Sequence, residues 1–312
     1  MTLARALELA ERGRGTTHPN PVVGAVVVND GEVVGEGWHE RKGGPHGEVV
    51  ALNAAGELAR GATLYVTMEP CTHQGDTPPC TAAVLDARVA RVVAGSLDPN
   101  PKARGGLEQL REAGVDVELV DSFEARAQNE AWRTWVSQGR PFVTYKAAMT
   151  LDGRLTVPRE RWVSGEESRR LVHELRAASD AVGVGMGTVR ADAPRLDARG
   201  VNAPRQPRRL AFGQGPLPEG SELELRRGPL AEELAALAAE GVQSLLLEGG
   251  PTLAAAFLRE DVLDKLLVFV APKLAGEGPR LLEGAVPARQ LTRLRAQPVG
   301  EDVLLSAYVH EP

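Results

Sequence analysis

Apolar residues at the start of the chain fall at Leu3, Ala6, Leu7 and Ala10, a helical spacing that ends at Gly13 and Gly15. The β-branched run VVGAVVVND and the following GEVVGEGWH read as two strands, and the Asp30-Gly31 between them predicts a hairpin turn. A helix is expected over 46–59, a buried strand over ATLYVT, and a further helix from about Pro79. Between the last two, MEPCTHQGDTPPC has too many prolines for regular structure. The strand RVVAGS, the loop DPNPKARGG, a helix over 106–112 and the strand VDVELV complete a strand-helix alternation that indicates a layered α/β domain.

A polar helical pattern over 124–138 is broken by Gly139-Arg140-Pro141, which predicts a boundary there and domains of 1–140 and 141–312. The alternation then restarts with the strand PFVTYKAAM, a loop to about Gly165, a helix over 166–177 and the strand DAVGVGM. A Pro/Arg-rich irregular stretch is expected to Pro207, followed by the strand RRLAFG, a helix over 230–239, the strand QSLLLEGG, a helix over 252–259 and the strands DKLLVFVAP and DVLLSAYVH. No internal repeat makes the halves copies, so each should carry its own chemistry.

The length of 312 residues suits two cores of roughly 150 residues each. Basic residues number 36 and acidic residues 42, a formal charge of −6 that is the wrong sign for a surface bound to nucleic acid or anionic lipid. No apolar run reaches the roughly 20 residues of a membrane span, and the amphipathic opening does not read as a signal peptide, so a cytoplasmic protein is expected. In that setting Cys71 and Cys80 are expected to be reduced, and either inert or metal-bound.

His46 and Glu48 open one predicted helix, and Cys71 and Cys80 lie just after a predicted strand. One imidazole and two thiolates suit tetrahedral Zn²⁺ and leave the fourth position to water, the pattern of a catalytic rather than a structural site. Zinc lowers the pKa of bound water from 15.7 to about 7, and Glu48 is placed to move protons without binding the metal. The order H-x-E followed by P-C…C is that of zinc deaminases, although here the second cysteine comes nine residues after the first rather than three. Two plainer readings stand beside it: packed core side chains, or a structural zinc site with His73 as its fourth ligand.

The insertion CTHQGDTPPC, the segment Thr17-His18-Pro19-Asn20-Pro21, Gly37-Trp38-His39 and Asp98-Pro99-Asn100-Pro101 together resemble the deaminase half of the bifunctional riboflavin-biosynthesis deaminase/reductase family, over about residues 3 to 120. The resemblance implies a cytidine-deaminase-like three-layer α/β domain with zinc on His46, Cys71 and Cys80 and Glu48 as the catalytic proton shuttle. It also places Asn20, Asp98 and Asn100 against the substrate, although Asn and Asp beside proline equally suit plain turns. His39 and His73 read as phosphate contacts or as surface residues. Gly47 stands where the family usually has Ala, and Asp76 where a basic residue near the phosphate is usual.

In the second half, Lys146-Ala-Ala-Met149-Thr150-Leu151-Asp152-Gly153, the run Gly187-Thr188-Val189-Arg190-Ala191-Asp192 and Glu248-Gly249-Gly250-Pro251-Thr252-Leu253 each cross from a strand into a loop or helix. Free N–H groups at such helix starts suit a phosphate, but GVGMG lacks the Rossmann spacing. Taken in order, these elements resemble the dihydrofolate-reductase-like α/β reductase half of the same family over about residues 142 to 310. The resemblance implies NADPH lined by Met149, Trp162, Thr188, Asp192 and Gly250, Pro251, Thr252, Leu253, Ala254, Ala255 and Ala256. It implies a substrate held by Arg176, Leu196, Arg199 and Glu248, with Lys146 and Asp152 near the sugar. Arg176 as a surface charge and Trp162 as a loop-packing aromatic are the plainer alternatives. Glu160 and Gln214 depart from the small polar residues usual at their positions.

These readings imply a two-step enzyme. Its first half would deaminate 2,5-diamino-6-ribosylamino-4(3H)-pyrimidinone 5′-phosphate, and its second would reduce the ribosyl chain to ribityl with NADPH. The expected partners are that small phosphorylated pyrimidine and further copies of the chain, with no nucleic acid and no membrane. The rivals are a zinc nucleoside or nucleotide deaminase fused to a redox domain of other specificity, and a zinc-stabilised binding module whose catalysis has lapsed.

Overall fold

A computed structural model of the chain describes residues 2–75 and 77–312, so the Asp76 departure lies outside the described residues. The chain forms two compact units, residues 1–138 together with 312, and residues 139–311.

The first unit opens with helix α1 (Thr2–Glu11), which lays Ala6 and Leu9 on the sheet. Strands β1 (Gly24–Asn29) and β2 (Glu32–Trp38) form the expected hairpin, with Asp30 and Gly31 both at positive φ (48° and 83°), as a type I′ turn requires. Helix α2 (Gly47–Ala55) follows and tightens into a 3₁₀ turn over Gly56–Ala59, so the predicted 46–59 helix is α-helical only in its first part. Strand β3 (Thr63–Val66), helix α3 (Cys80–Asp86), strand β4 (Arg91–Ala94), helix α4 (Gly106–Glu112) and strand β5 (Asp116–Leu119) complete the sheet, ordered β2-β1-β3-β4-β5. Strands β3, β4 and β5 are parallel, and β1 is antiparallel to both neighbours.

Two glycines fix how closely α2 rides on this sheet. Gly35 and Gly37 project from the same face of β2 because side chains alternate along a strand. A Cβ on Gly37 would lie 2.5 Å from the backbone N of Ala51, and one on Gly35 would lie 2.2 Å from its O. An Ala at position 47 would likewise put a Cβ 2.8 Å from the carbonyl O of Val23, which gives Gly47 a packing role.

The predicted single helix over 124–138 is two: α5 (Phe123–Gln128) and α6 (Glu130–Gln138). The break falls at Asn129, whose buried side chain accepts from Val22 N and donates to Val22 O. That tertiary pairing outweighs helical continuity and is invisible in the local pattern.

The second unit contains β6 (Phe142–Thr150), α7 (Glu166–Ala178), β7 (Ala181–Gly185), α8 (Met186–Asp192), β8 (Arg208–Phe212) and β9 (Glu224–Arg226). These are followed by α9 (Leu230–Ala239), β10 (Ser244–Leu247), α10 (Pro251–Arg259), β11 (Lys265–Ala271), β12 (Thr292–Val299) and β13 (Asp302–Tyr308). The sheet order is β12-β13-β11-β6-β10-β7-β8-β9, parallel from β11 to β9, with β13 and β12 antiparallel at one edge. Along β10, Leu245 and Leu247 enter one core with α9 and α10, while Leu246 enters another with Val182, Val184 and Val189. This is the alternation of a strand buried on both faces. Helix α8 lies in the stretch expected to be irregular, and β9 and β12 had no counterpart in the sequence reading.

Candidate functional site

In the first unit, β3 ends just before Cys71, Pro79 caps α3 so that Cys80 is its first residue, and His46 caps α2 in an extended conformation. These starts aim three donors at one point. The ligand atoms of His46, Cys71 and Cys80 lie within 4.8 Å of one another, with Nδ1 of His46 at 3.1 Å from Sγ of Cys80 and 3.6 Å from Sγ of Cys71. A tetrahedral zinc with bonds of about 2.0 Å to N and 2.3 Å to S sets N and S roughly 3.5 Å apart, so the donor set fits the ion. Both cysteines are free and buried, against a disulfide. The Cys71 thiol is pushed down to about 4 by the hydrogen bond from Cys80, with burial opposing and His46 assisting.

Glu48, on the first turn of α2, is 3% exposed, and its Oε2 has no hydrogen-bond partner. Burial raises its pKa, with His46 opposing. A buried carboxylate oxygen without a partner is costly unless a ligand meets it, so this acid fits a working metal centre rather than a structural one.

The surrounding loops are braced. His39 is buried, neither a surface residue nor free: its Nδ1 lies 3.0 Å from Pro45 O, its Nε2 lies 3.3 Å from Nδ2 of Asn20, and its ring meets His46 edge-on at 5.2 Å. Donation from Nδ1 to Pro45 leaves Nε2 to accept from Asn20, which fixes the Asn20 amide. Asp98 accepts from Asn100 N, and Asn100 Oδ1 accepts from Lys102 N, so one oxygen of each serves turn geometry. Asp98 is 8% exposed, and burial pushes its pKa up to about 6. Glu69, which the sequence reading passed over, braces this loop by accepting from Asp98 N, Gly105 N and Leu107 N. Only its place just before Cys71 could have drawn attention to it.

In the second unit, β6, β10 and α7 bring Lys146, Glu248 and Arg176 together. Arg176 grips Glu248 with two bonds of 2.5 and 3.0 Å and reaches Asp197 O, and Lys146 Nζ stands 3.6 Å from Glu248. Arg176 is therefore no surface charge. Burial disfavours the Glu248 carboxylate, but Lys146 and Arg176 overcome this and hold its pKa below the ordinary value. Asp152 accepts from Thr150, Ala275 N and Gly276 N, which pushes it down to about 2. Arg199 pairs with Asp197 at the surface.

Parallel strands β7 and β10 are neighbours, so α8 and α10 start side by side at one end of the sheet, where ligands of such sheets bind. A Cβ on Gly250 would sit 3.6 Å from Oγ1 of Thr188, a measure of how close the two helix starts come. Thr252 is exposed and Pro251 half-buried, whereas Ala254 and Ala255 face the core at 0% exposure, with Leu253 and Ala256 half-buried between. Met149 is half-buried near the end of β6, and Asp192 is exposed at the end of α8. Leu196 is 2% exposed, packed with Val182, Val184 and Met186, so its side chain belongs to the core. Trp162 is 49% exposed with the guanidiniums of Arg161 and Arg169 over its ring, and it lines a cavity of about 460 Å³ with Lys273, Gly165 and Asp302. Glu160 at that rim pairs with Lys273, and Gln214 donates to Arg227 O.

Residues 1–96 match the family described as the cytidine and deoxycytidylate deaminase zinc-binding region, and residues 141–305 match the RibD C-terminal domain. The fold and its sites thus define a zinc-binding deaminase joined in one chain to a reductase. The riboflavin biosynthesis protein RibD of Aquifex aeolicus is 40% identical, covering 96% of this chain and 95% of its own length; that of Mycobacterium tuberculosis is 43% identical over 96% and 94%. A solved structure of Acinetobacter baumannii RibD superposes with a TM-score of 0.84 at 34% identity, covering 98% of this chain and 97% of that one. The chain belongs to the RibD family, enzymes of riboflavin biosynthesis with deaminase and reductase activities that use zinc and NADPH. The rival of a lapsed binding module falls with that membership.

Proposed function

We propose that the first unit deaminates a diaminopyrimidinone carrying a ribosylamino 5′-phosphate and that the second reduces the ribosyl chain of the product to ribityl. A Thermotoga maritima structure 33% identical to this chain, with a TM-score of 0.83, bears the name diaminohydroxyphosphoribosylaminopyrimidine deaminase/5-amino-6-(5-phosphoribosylamino)uracil reductase, which supports this pair of steps. His46, Cys71 and Cys80 would hold zinc, which when bound supplies a Lewis acid that brings water to hydroxide character near neutral pH. Glu48 takes a proton from the attacking water and returns it to the departing amine, so that water and amine become a ring carbonyl and ammonia. Asn20, oriented by His39, and Asp98 and Asn100 on their braced loop hold the pyrimidine and its sugar.

In the second unit, NADPH when bound would supply a hydride for reduction at C1′ of the ribosyl chain. Thr188 and the α10 start at Gly250, Pro251 and Thr252 offer N–H groups and a hydroxyl to the cofactor, with Met149, Trp162 and Asp192 around it. Lys146, Arg176 and Glu248 form the polar floor for the substrate, and Arg199 reaches its phosphate. Asp152 acts by holding the loop at Ala275 and Gly276, and Leu196 meets a ligand only through its backbone. We assign the domains as 1–140 and 141–312 and read the enzyme as a cytoplasmic homo-oligomer, which sedimentation velocity tests; no described helix is long and apolar enough to cross a membrane.

The observation that carries this reading is the convergence of His46, Cys71 and Cys80 beside a buried Glu48 whose Oε2 has no partner. The test is to incubate the enzyme with the diaminopyrimidinone phosphate. Ammonia should be released with or without NADPH, and NADPH should be oxidised only after ammonia appears; NADPH oxidation without ammonia release would overturn the assignment.

A further inference from the structure

In the first unit Arg5 pairs with Glu36, Arg14 with Glu11, Arg91 with Glu118, Arg111 with Glu108 and Arg126 with Asp121. Lys102 and Arg104 are among the basic residues outside these pairs, and their loop packs on the metal centre. Both are exposed, and neither has an ion-pair or side-chain hydrogen-bond partner among the described residues.

Their loop is held firmly against the metal centre. Ala103 between them is 2% exposed and packs in one cluster with Cys71 and Cys80. Thr72, the residue after Cys71, donates its backbone N to Ala103 O and its hydroxyl to the carbonyls of Ala103 and Arg104. Asn100 O accepts from the backbone N of both Ala103 and Arg104. Consecutive Cα atoms are only about 3.8 Å apart, so each cation starts one residue from a side chain that touches the metal ligands. Beyond Thr72, His73 keeps a buried Nδ1 with no hydrogen-bond partner, a second polar group at this rim left for a ligand.

We propose that Lys102 and Arg104 form the anion seat of the deaminase site, holding the phosphate of its substrate while Ala103 anchors them to the metal centre. The inference rests on the proposed deaminase reading and adds the residues that select a phosphorylated pyrimidine over its free riboside. A phosphomonoester carries about −1.5 to −2 charges near pH 7, which matches two unpaired cations rather than one. The rigid loop lowers the ordering cost of binding, and the arginine fork adds bidentate geometry.

The test is steady-state ammonia release by Lys102→Gln, Arg104→Gln and the double variant, with the phosphorylated substrate and with its dephosphorylated form. Each single change should raise KM for the phosphorylated substrate about tenfold, with kcat nearly unchanged. KM for the dephosphorylated form should not move, and Lys102→Arg should restore the wild-type value. Zinc content and NADPH oxidation on the deaminated intermediate, which should stay intact, exclude misfolding. An unmoved KM in the double variant, or an equal rise with the dephosphorylated form, overturns this inference while leaving the deaminase assignment standing. Absence of ammonia release by the unmodified enzyme overturns both.

Discussion

At the metal centre of the first unit, Nδ1 of His46 and two sulfurs crowd within 4.8 Å, and Oε2 of Glu48 has no protein partner. In the second unit the corresponding acids are held by the protein itself: Glu248 by Arg176 and Lys146, Asp152 by Thr150 and two backbone N–H groups. The contrast follows from what each site takes. An ion needs several donors converging on one point, and residue type reveals them. A long organic cofactor is met by helix starts and backbone, while the charged side chains first stabilise one another.

If that contrast is right, removing one donor should damage the two units differently. Cys80→Ser should weaken zinc binding by at least about 10²-fold and abolish ammonia release with it, while NADPH oxidation on the deaminated intermediate persists; metal analysis and the two assays check this. Glu248→Gln leaves two largely buried cations without their counter-charge, so it should destabilise the second unit by about 3 kcal/mol in urea unfolding and suppress NADPH oxidation without touching zinc content. Gly37→Ala sharpens the comparison from the backbone side. A displaced α2 moves His46 and Glu48 together, and ammonia release should fall about 10²-fold while the reductase is unaffected.

The smallest effect concerns His310, which pairs with Asp261 and Asp264. Its hydrogen bond with Asp264 raises its pKa against burial, and Asp261 adds to the rise. Its stabilising share is therefore fully present below the unfolded histidine value of about 6.5 and is lost as pH climbs through the raised folded value. His310→Gln should lower the stability of the second unit by less than about 1 kcal/mol at pH of about 5.5 and leave it unchanged at about 9, as read by urea midpoints.

Much of this architecture could be read in the chain. The Asp30-Gly31 hairpin, the start of α2 at His46 and α9 over Leu230–Ala239 carry local signals strong enough to decide their structure. What escaped depends on distant partners or on weak pattern. Helix α8 is short and begins Met186-Gly187 between glycine and proline signals, β9 has three residues, and β12 is polar, exposed almost throughout and contains Pro298. The break at Asn129 is set by Val22, 107 residues away. At the sites, the metal donors were legible because few residue types bind zinc. The bracing by Glu69, the burial of His39 and the mutual pairing of Arg176 with Glu248 exist only once the fold brings those residues together.

The most direct measurement is made on Glu48→Gln, assayed in parallel for bound zinc, ammonia release and NADPH oxidation on the deaminated intermediate. The account predicts unchanged zinc, unchanged NADPH oxidation and ammonia release reduced by about 10³-fold. Ammonia release at the unmodified rate, with zinc in place, would contradict it.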